Sequence, residues 1–309
     1  MGGGTWDSNL YSAAKSLRAK TGVDDFSYSS ITMSAPRSKR VAHNVLDPIK
    51  IKDSVNRTIE SRDSDEHPES RAIAVIFDVT GSMESVPKTF QSNLNKLMSL
   101  VMLKGKIEHP QIMVGAVGDA TCDSIPLQLS QFESNNLIDE HLRNIVLEGG
   151  GGGQNKESYE LALFALARMT DIDCLNKRGQ KGYLFLSGDE KPYPVIKKDE
   201  VQKIFGVGLE ADIPLADIVK EVKDKYIVYI IIPQNTNYRG DTEIHKEWVK
   251  YFGQNVLKLE DESTICELIA STIAAEEDIE INEILDNLKK NGVSEKVQEK
   301  VSKTLTAVK

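Results

Sequence analysis

The chain has 309 residues, 40% of them hydrophobic and 28% charged, with a formal net charge of −9. That is the composition of a globular protein long enough to bury a substantial core. No apolar run approaches the ~20 residues that span a bilayer, the acidic balance argues against a nucleic-acid-binding surface, and Cys122, Cys174 and Cys266 are too scattered for a zinc site or a disulfide framework.

The N-terminus, Met1-Gly-Gly-Gly-Thr5-Trp6-Asp7, lacks the basic-then-apolar pattern of a secretory signal, so a cytoplasmic location is expected. Residues 15–57 carry nine Lys or Arg against four Asp and are rich in Ser. A short helix is predicted near residues 10–19, then irregular chain through Pro36 and Pro48, then a charged linker over 61–68. Residues 1–69 therefore read as a basic, loosely structured arm.

Ala72-Ile-Ala-Val-Ile-Phe77 is a continuous apolar run ending in a polar turn, the pattern of a strand buried on both faces of a parallel sheet. After it, Val86, Phe90, Leu94, Leu97, Met98, Val101 and Met102 recur at helical spacing. Residues 112–117 and 126–132 read as a hairpin whose second member alternates like an edge strand. Helical patterns over 135–146 and 156–170 flank the glycine run 149–153, and a buried strand follows at 183–187. The strongest strand is 226–232. A helix at 242–252, a strand at 255–259 and a helix at 262–276 complete the series.

Strands alternating with helices imply a mainly parallel sheet covered on both faces, with ligands at the carboxyl ends of the strands. Residues 278–309 differ. Ile281, Ile284, Leu285 and Leu288 form one apolar stripe and Val293, Val297, Val301 and Leu305 another, broken at Asn291-Gly292. This predicts a C-terminal helical hairpin, which either packs back on the domain or offers a surface for association.

The chemistry concentrates at strand ends. Asp78-Val-Thr80-Gly-Ser82 stands directly after the first strand and offers one carboxylate and two hydroxyls on a single loop. Hard cations such as Mg²⁺ or Mn²⁺ take oxygen ligands, and Mg²⁺ retains several waters, so few protein ligands suffice. This Asp-x-Thr-Gly-Ser segment resembles the first motif of the metal-ion-dependent adhesion site of von Willebrand factor type A (VWA) domains. The resemblance implies that Thr80 and Ser82 bind the cation directly and Asp78 through water.

Further along, Gly151-Gly-Gly153-Gln-Asn-Lys-Glu157 is similar to the Gly-Gly-Gly-Asp-x-Pro-Glu pattern of one VWA branch. It places Gln154 and Asn155 where other members offer Asp or Thr, with Asn155 the candidate ligand. A carboxamide brings no negative charge. Glu157 either coordinates instead or sits at a helix N-terminus. Leu186-Ser-Gly-Asp189-Glu-Lys-Pro192 resembles that branch's Gly-Asp-Ala-Pro-Pro segment and makes Asp189 the third-loop ligand. Asp119, in Val117-Gly-Asp-Ala-Thr121, reads as a turn residue that at most supports those ligands from behind.

The resemblance covers residues 70–277 and implies a doubly wound, Rossmann-like α/β domain with one antiparallel edge strand and helices on both faces. The implied role is non-catalytic: a protein-binding or assembly module whose cation takes an Asp or Glu side chain from a partner protein. Two other readings stand beside it. Asp78-Val-Thr-Gly-Ser82 also resembles the nucleophile loop of haloacid dehalogenase-like phosphotransferases, in which Asp78 would be phosphorylated. Alternatively the chain is a subunit of a homo-oligomer or larger assembly with a vestigial metal site. The opening residues are similar to VWA proteins encoded by bacteria and their phages, which would admit a virion component. The five histidines, His43, His67, His109, His141 and His245, show no metal-ligand spacing and read as surface or locally bonded residues.

Overall fold

The computed structural model describes residues 3–53, 58–104, 107–150, 155–236 and 241–306. Its centre is a six-stranded sheet of β1 (Ser70–Asp78), β2 (His109–Val117), β3 (Leu127–Leu129), β4 (Gly182–Ser187), β5 (Tyr226–Pro233) and β6 (Val256–Leu259). In space the order is β6-β5-β4-β1-β2-β3. The pairs along β6-β5-β4-β1-β2 are parallel, and β3 runs antiparallel to β2 at the sheet's edge over Gly115–Leu129, Ala116–Gln128 and Val117–Leu127.

β1 shows why the sheet is buried on both faces. Its side chains alternate, so Ile73, Val75 and Phe77 enter one apolar layer while Ala72, Ala74 and Ile76 enter the other. The first layer holds the helices Ser85–Ser92, Leu94–Lys104 and Ile265–Glu276. The second holds Tyr159–Arg168, Lys198–Phe205, Leu215–Lys225 and Thr242–Phe252. A mostly parallel sheet between two helical layers is an α/β arrangement compatible with a Rossmann-like fold.

The chain leaves β1 to one side to form β2 and later returns on its other side as β4. The carboxyl ends of β1 and β4 therefore flank the point where the strand order reverses, which is where such sheets open a crevice for ligands.

Several elements differ from the sequence-based expectation. The segment read as a loosely structured arm carries the helices Ser8–Thr21, Ser27–Ser34 and Pro48–Asp53. Trp6, Tyr11, Phe26 and Leu46 join the first apolar layer. The Tyr11 hydroxyl donates to Gln91 O at 2.5 Å and Trp6 Nε1 to Asn95 Oδ1 at 3.0 Å. A few large aromatic side chains, each contributing about 2 kcal/mol when buried, suffice to fix a segment that has no long apolar periodicity. Arg18 reaches the domain as well, 3.4 Å from Asp139.

The helical pattern after β1 divides at Asn93, and the helix expected over 156–170 begins at Tyr159, because Lys156–Glu157 pairs in parallel with Lys191–Pro192. The C-terminal helices Ile281–Lys290 and Glu295–Thr306 send Ile284, Leu288, Val293, Val301 and Leu305 into the first layer, so the hairpin packs on the domain. Cys174 and Cys266 are buried free thiols and Cys122 is half-buried. No helix among the described residues is long and apolar enough to cross a membrane.

Candidate metal centre at the sheet's switch point

β1 ends on Asp78, which is wholly buried. Val79 still bonds to β2, its N–H donating to Val117 O at 3.1 Å, and the chain then turns through Thr80 into the short 3-10 helix Gly81–Glu84. Asp78 shapes that turn: its Oδ1 accepts from Thr80 N at 2.8 Å and from Thr80 Oγ1 at 2.5 Å. Its Oδ2 accepts from the Tyr159 hydroxyl at 2.5 Å. Burial pushes the Asp78 carboxyl up to about 7 against the pull of these hydrogen bonds, and the charge of Asp189 adds to the rise. Thr80 is also buried. Ser82 lies in the 3-10 helix, and its side chain is outside what the structure describes.

The second loop closes against the first. Gly149 N donates to Val79 O at 3.2 Å, and a Cβ at Gly81, which has φ +46°, would stand 3.2 Å from Gly150 O. Residues 151–154 lie outside the described residues, and with them Gln154. Asn155 emerges in the left-handed region at φ +52°, its carbonyl accepting from Lys191 N at 3.2 Å. Its side-chain Oδ1 is buried with no hydrogen bond among the described residues.

Glu157 follows, wholly buried, and neither of its carboxylate oxygens has a hydrogen-bond partner among the described residues. Burial pushes its carboxyl up to about 10, and the negative charges of Asp78, Glu190, Asp123 and Asp119 push the same way. The short pairing of Lys156–Glu157 with Lys191–Pro192 brings this residue alongside the third loop.

That third loop leaves β4 through Ser187 and Gly188 to Asp189, which is 3% exposed. Ser187 pairs with Phe77 in the sheet, so Asp78 and Asp189 leave neighbouring strands at the same edge. Tyr159 spans the two loops, since its hydroxyl also accepts from Glu190 N at 3.3 Å. A Cβ at Gly188 would lie 2.3 Å from that hydroxyl, so only glycine admits the phenol. Trp248 packs edge-on against the Tyr159 ring, 5.3 Å between centroids, and donates to Glu190 O at 2.9 Å.

Asp119, also wholly buried, accepts from Thr121 N and Thr121 Oγ1 at 2.8 Å each and from the Tyr193 hydroxyl at 3.2 Å. It forms a turn beside the site and acts on it through the charge felt by Glu157. Sequence reasoning missed Tyr159 and Ser187. Ser187 Oγ is buried without a hydrogen bond among the described residues. The only signal for Tyr159 was a tyrosine in the first turn of the helix after the glycine run.

The structure thus gathers Asp78, Thr80, Glu157 and Asp189 at one sheet edge, with the backbone of Asn155 tied to the third loop. Among the described residues, no group of three or more His, Cys, Asp or Glu side chains is placed to hold a metal. The candidate donors are instead mixed: hydroxyl, carboxamide and carboxylate oxygens.

No family model and no characterised protein sequence matches the chain. Similar solved structures include the pilus adhesin SpaC from Lactobacillus rhamnosus GG in an open conformation, at 14% identity and TM-score 0.43, covering 72% of this chain and 30% of that one. Proximal thread matrix protein 1 from the mussel byssus is similar at 14% identity and TM-score 0.43, covering 66% and 48%. A form of it with a zinc-occupied MIDAS motif is similar at 15% identity and TM-score 0.41, covering 67% and 48%. This chain spans less than half the length of each, and these identities and TM-scores are too low to transfer a property to it.

Proposed function

We propose that the chain is a non-catalytic protein-binding module of VWA type, which engages an acidic side chain of a partner protein through a divalent cation held where β1 and β4 end. The observation that carries this reading is Glu157: a wholly buried carboxyl group whose two oxygens have no hydrogen-bond partner among the described residues, set among further acidic side chains. Burial holds such a group in its neutral form, and a bound cation is what would let it ionise.

The residues present fit such a cation. The candidate donors among the described residues, from Asp78, Thr80, Asn155, Glu157 and Asp189, are oxygens, which suits Mg²⁺ or Mn²⁺. Thr80 spends its hydroxyl proton on Asp78, which leaves its lone pairs free for a ligand role. Asn155 Oδ1 and Ser187 Oγ are buried oxygens awaiting a partner among the described residues. Thr80, Ser82, Asn155 and Asp189 would hold the ion, with Asp78 and Glu157 supplying charge. When bound, it would supply an open coordination position for a partner's Asp or Glu. Tyr159 positions Asp78 and the start of the third loop together.

The hydrogen bonding of Asp78 supports binding over phosphoryl transfer. Both its oxygens are engaged, by Thr80 and by Tyr159, and the side chain is wholly buried, a poor posture for a nucleophile. The test is titration of Mn²⁺ followed by electron paramagnetic resonance. One tight ion per chain, lost in Thr80→Val and Asp189→Asn with folding intact, is expected. Wild-type protein that takes up no ion overturns the reading.

A second reading, an assembly subunit, is favoured by the surface of the N-terminal segment. The helix Ser8–Thr21 turns Tyr11 inward and leaves Leu10 and Leu17 each 62% exposed, and Ile31 and Val41 are 68% and 61% exposed. Sedimentation of wild-type chain against Leu10→Glu/Leu17→Glu tests it: an oligomer dissolved by the substitutions supports an assembly role, and a monomer in both counts against it.

A further inference from the structure

β6 is the last strand of the sheet and, among the described residues, pairs with β5 alone. The carbonyls of Asn255 and Leu259 turn toward β5, accepting from Ile230 N and Gln234 N at 2.9 Å each. By strand alternation, the backbone groups of Val256 and Lys258 point outward. Among the described residues, the contact to that outer edge is a long hydrogen bond from Thr304 Oγ1 to Lys258 O, 3.4 Å.

This edge is the floor of a groove of about 850 Å³ between the helices Thr242–Phe252 and Glu295–Thr306. Val249, 38% exposed, stands on one wall and Thr304 on the other. Gln234, His245 and Lys258 also line a second cavity, of about 250 Å³, that ends at Asp189. Gln234, His245 and Lys258 therefore stand between Asp189 and the outer edge of β6. Lys258 belongs to both cavities, is exposed and has no ion pair among the described residues, whereas nearby Lys303 is paired with Glu260 at 2.9 Å.

We propose that this groove receives an extended, acidic peptide segment of a partner protein, which adds beside β6 as a seventh strand. An extended segment is required because the floor is a row of backbone donors and acceptors, which another strand matches and a helix does not. Acidity follows from Lys258, which lines both cavities, is exposed and has no ion pair among the described residues. The further step, in which a carboxylate at one end of the segment reaches the ion beside Asp189, rests on the cation-site reading above.

The test selects bead-displayed random decapeptides on the full chain in Mg²⁺. Enriched sequences should alternate β-branched residues and carry Asp or Glu. An enriched peptide should slow hydrogen exchange at the amides of Val256 and Lys258, and bind at least about tenfold more weakly to Val249→Arg, with Thr304→Arg on the facing wall as the second variant. Peptides sensitive to Val249→Arg but not to EDTA would uphold the groove and sink the cation reading. Peptides released by EDTA, yet indifferent to both wall variants and leaving the two amides unprotected, would overturn the groove and leave the cation reading standing. A selection that enriches no peptide overturns the groove as well.

Discussion

The Tyr159 hydroxyl donates to Asp78 Oδ2 at 2.5 Å and accepts from Glu190 N at 3.3 Å, so one phenol links the end of β1 to the loop that follows β4. Tyr159→Phe keeps the ring packing against Trp248 and deletes both bonds. Loss of a hydrogen bond to a buried carboxylate should cost about 1–3 kcal/mol, read by chemical denaturation. Weaker Mn²⁺ binding should accompany it. Unchanged stability would show that the bond does nothing for the fold.

Gly188→Ala tests the same contact from the other side. Its Cβ would meet the Tyr159 hydroxyl oxygen at 2.3 Å and ring carbons at 2.6 Å, and overpacking of this kind costs about 1–3 kcal/mol. In Tyr159→Phe/Gly188→Ala the oxygen is gone, so the double variant should lose less than the two single losses together. Strict additivity in denaturation measurements would mean that the two residues do not meet as the structure has them.

Glu157 makes the cation-free protein sensitive to base. Its folded carboxyl is raised to about 10 from an ordinary value of 4.5. The stability it contributes is complete below pH 4.5 and declines as pH rises toward 10. At pH 7 the loss amounts to about 3 kcal/mol. Glu157→Gln should therefore stabilise cation-free protein at pH 8 and change little at pH 4. Adding Mg²⁺ should abolish the advantage and release protons on binding. Thermal melts at the two pH values, with EDTA and with Mg²⁺, check this; a variant without advantage at pH 8 refutes it.

His141 produces the opposite trend on the acid side. Burial, followed by the charge of His43, lowers its folded value to about 4 from 6.5. Its contribution is therefore present above pH 6.5 and lost as pH falls to 4, by up to about 3 kcal/mol. His141→Gln should flatten the acid limb of a stability profile between those limits. A variant whose limb keeps the wild-type slope would assign the loss to other groups.

Much of the sheet could be read directly from the chain. The run 72–77 and the run 226–232 are apolar without interruption, and strands enclosed on both faces leave that mark. The loops after 72–77 and 183–187 were legible too, because Asp78, Thr80 and Asp189 stand close behind those runs. Glu157 was harder. The sequence offers a helix start, and the observed two-residue strand exists only because Lys191–Pro192 lies beside it, a pairing across distant segments. Tyr159 sits in a helix buried from Tyr159 to Ala167, so its mostly apolar surroundings conceal a polar duty. Helices Lys198–Phe205 and Leu215–Lys225 were missed because charged residues dominate them, and only Val201, Ile204, Phe205, Leu215, Ile218, Val219 and Val222 turn inward. The N-terminal segment misled for the converse reason, its few aromatic anchors being too sparse to form a period.

The strand order has a consequence for synthesis on the ribosome. β1 is flanked on one side by β2, which follows soon after, and on the other by β4, whose Ser187 must emerge before Phe77 gains its second neighbour. Until then the nascent chain holds Asp78 at an unfinished edge, whereas Trp6 and Tyr11 meet Asn95 and Gln91 earlier, once the helices after β1 have emerged. Pairings this distant in sequence form late. The loops that carry Asp78, Asn155 and Asp189 come together only once the third has left the exit tunnel, while the strands Tyr226–Pro233 and Val256–Leu259 are still to follow, so these loops can meet before the sheet is complete.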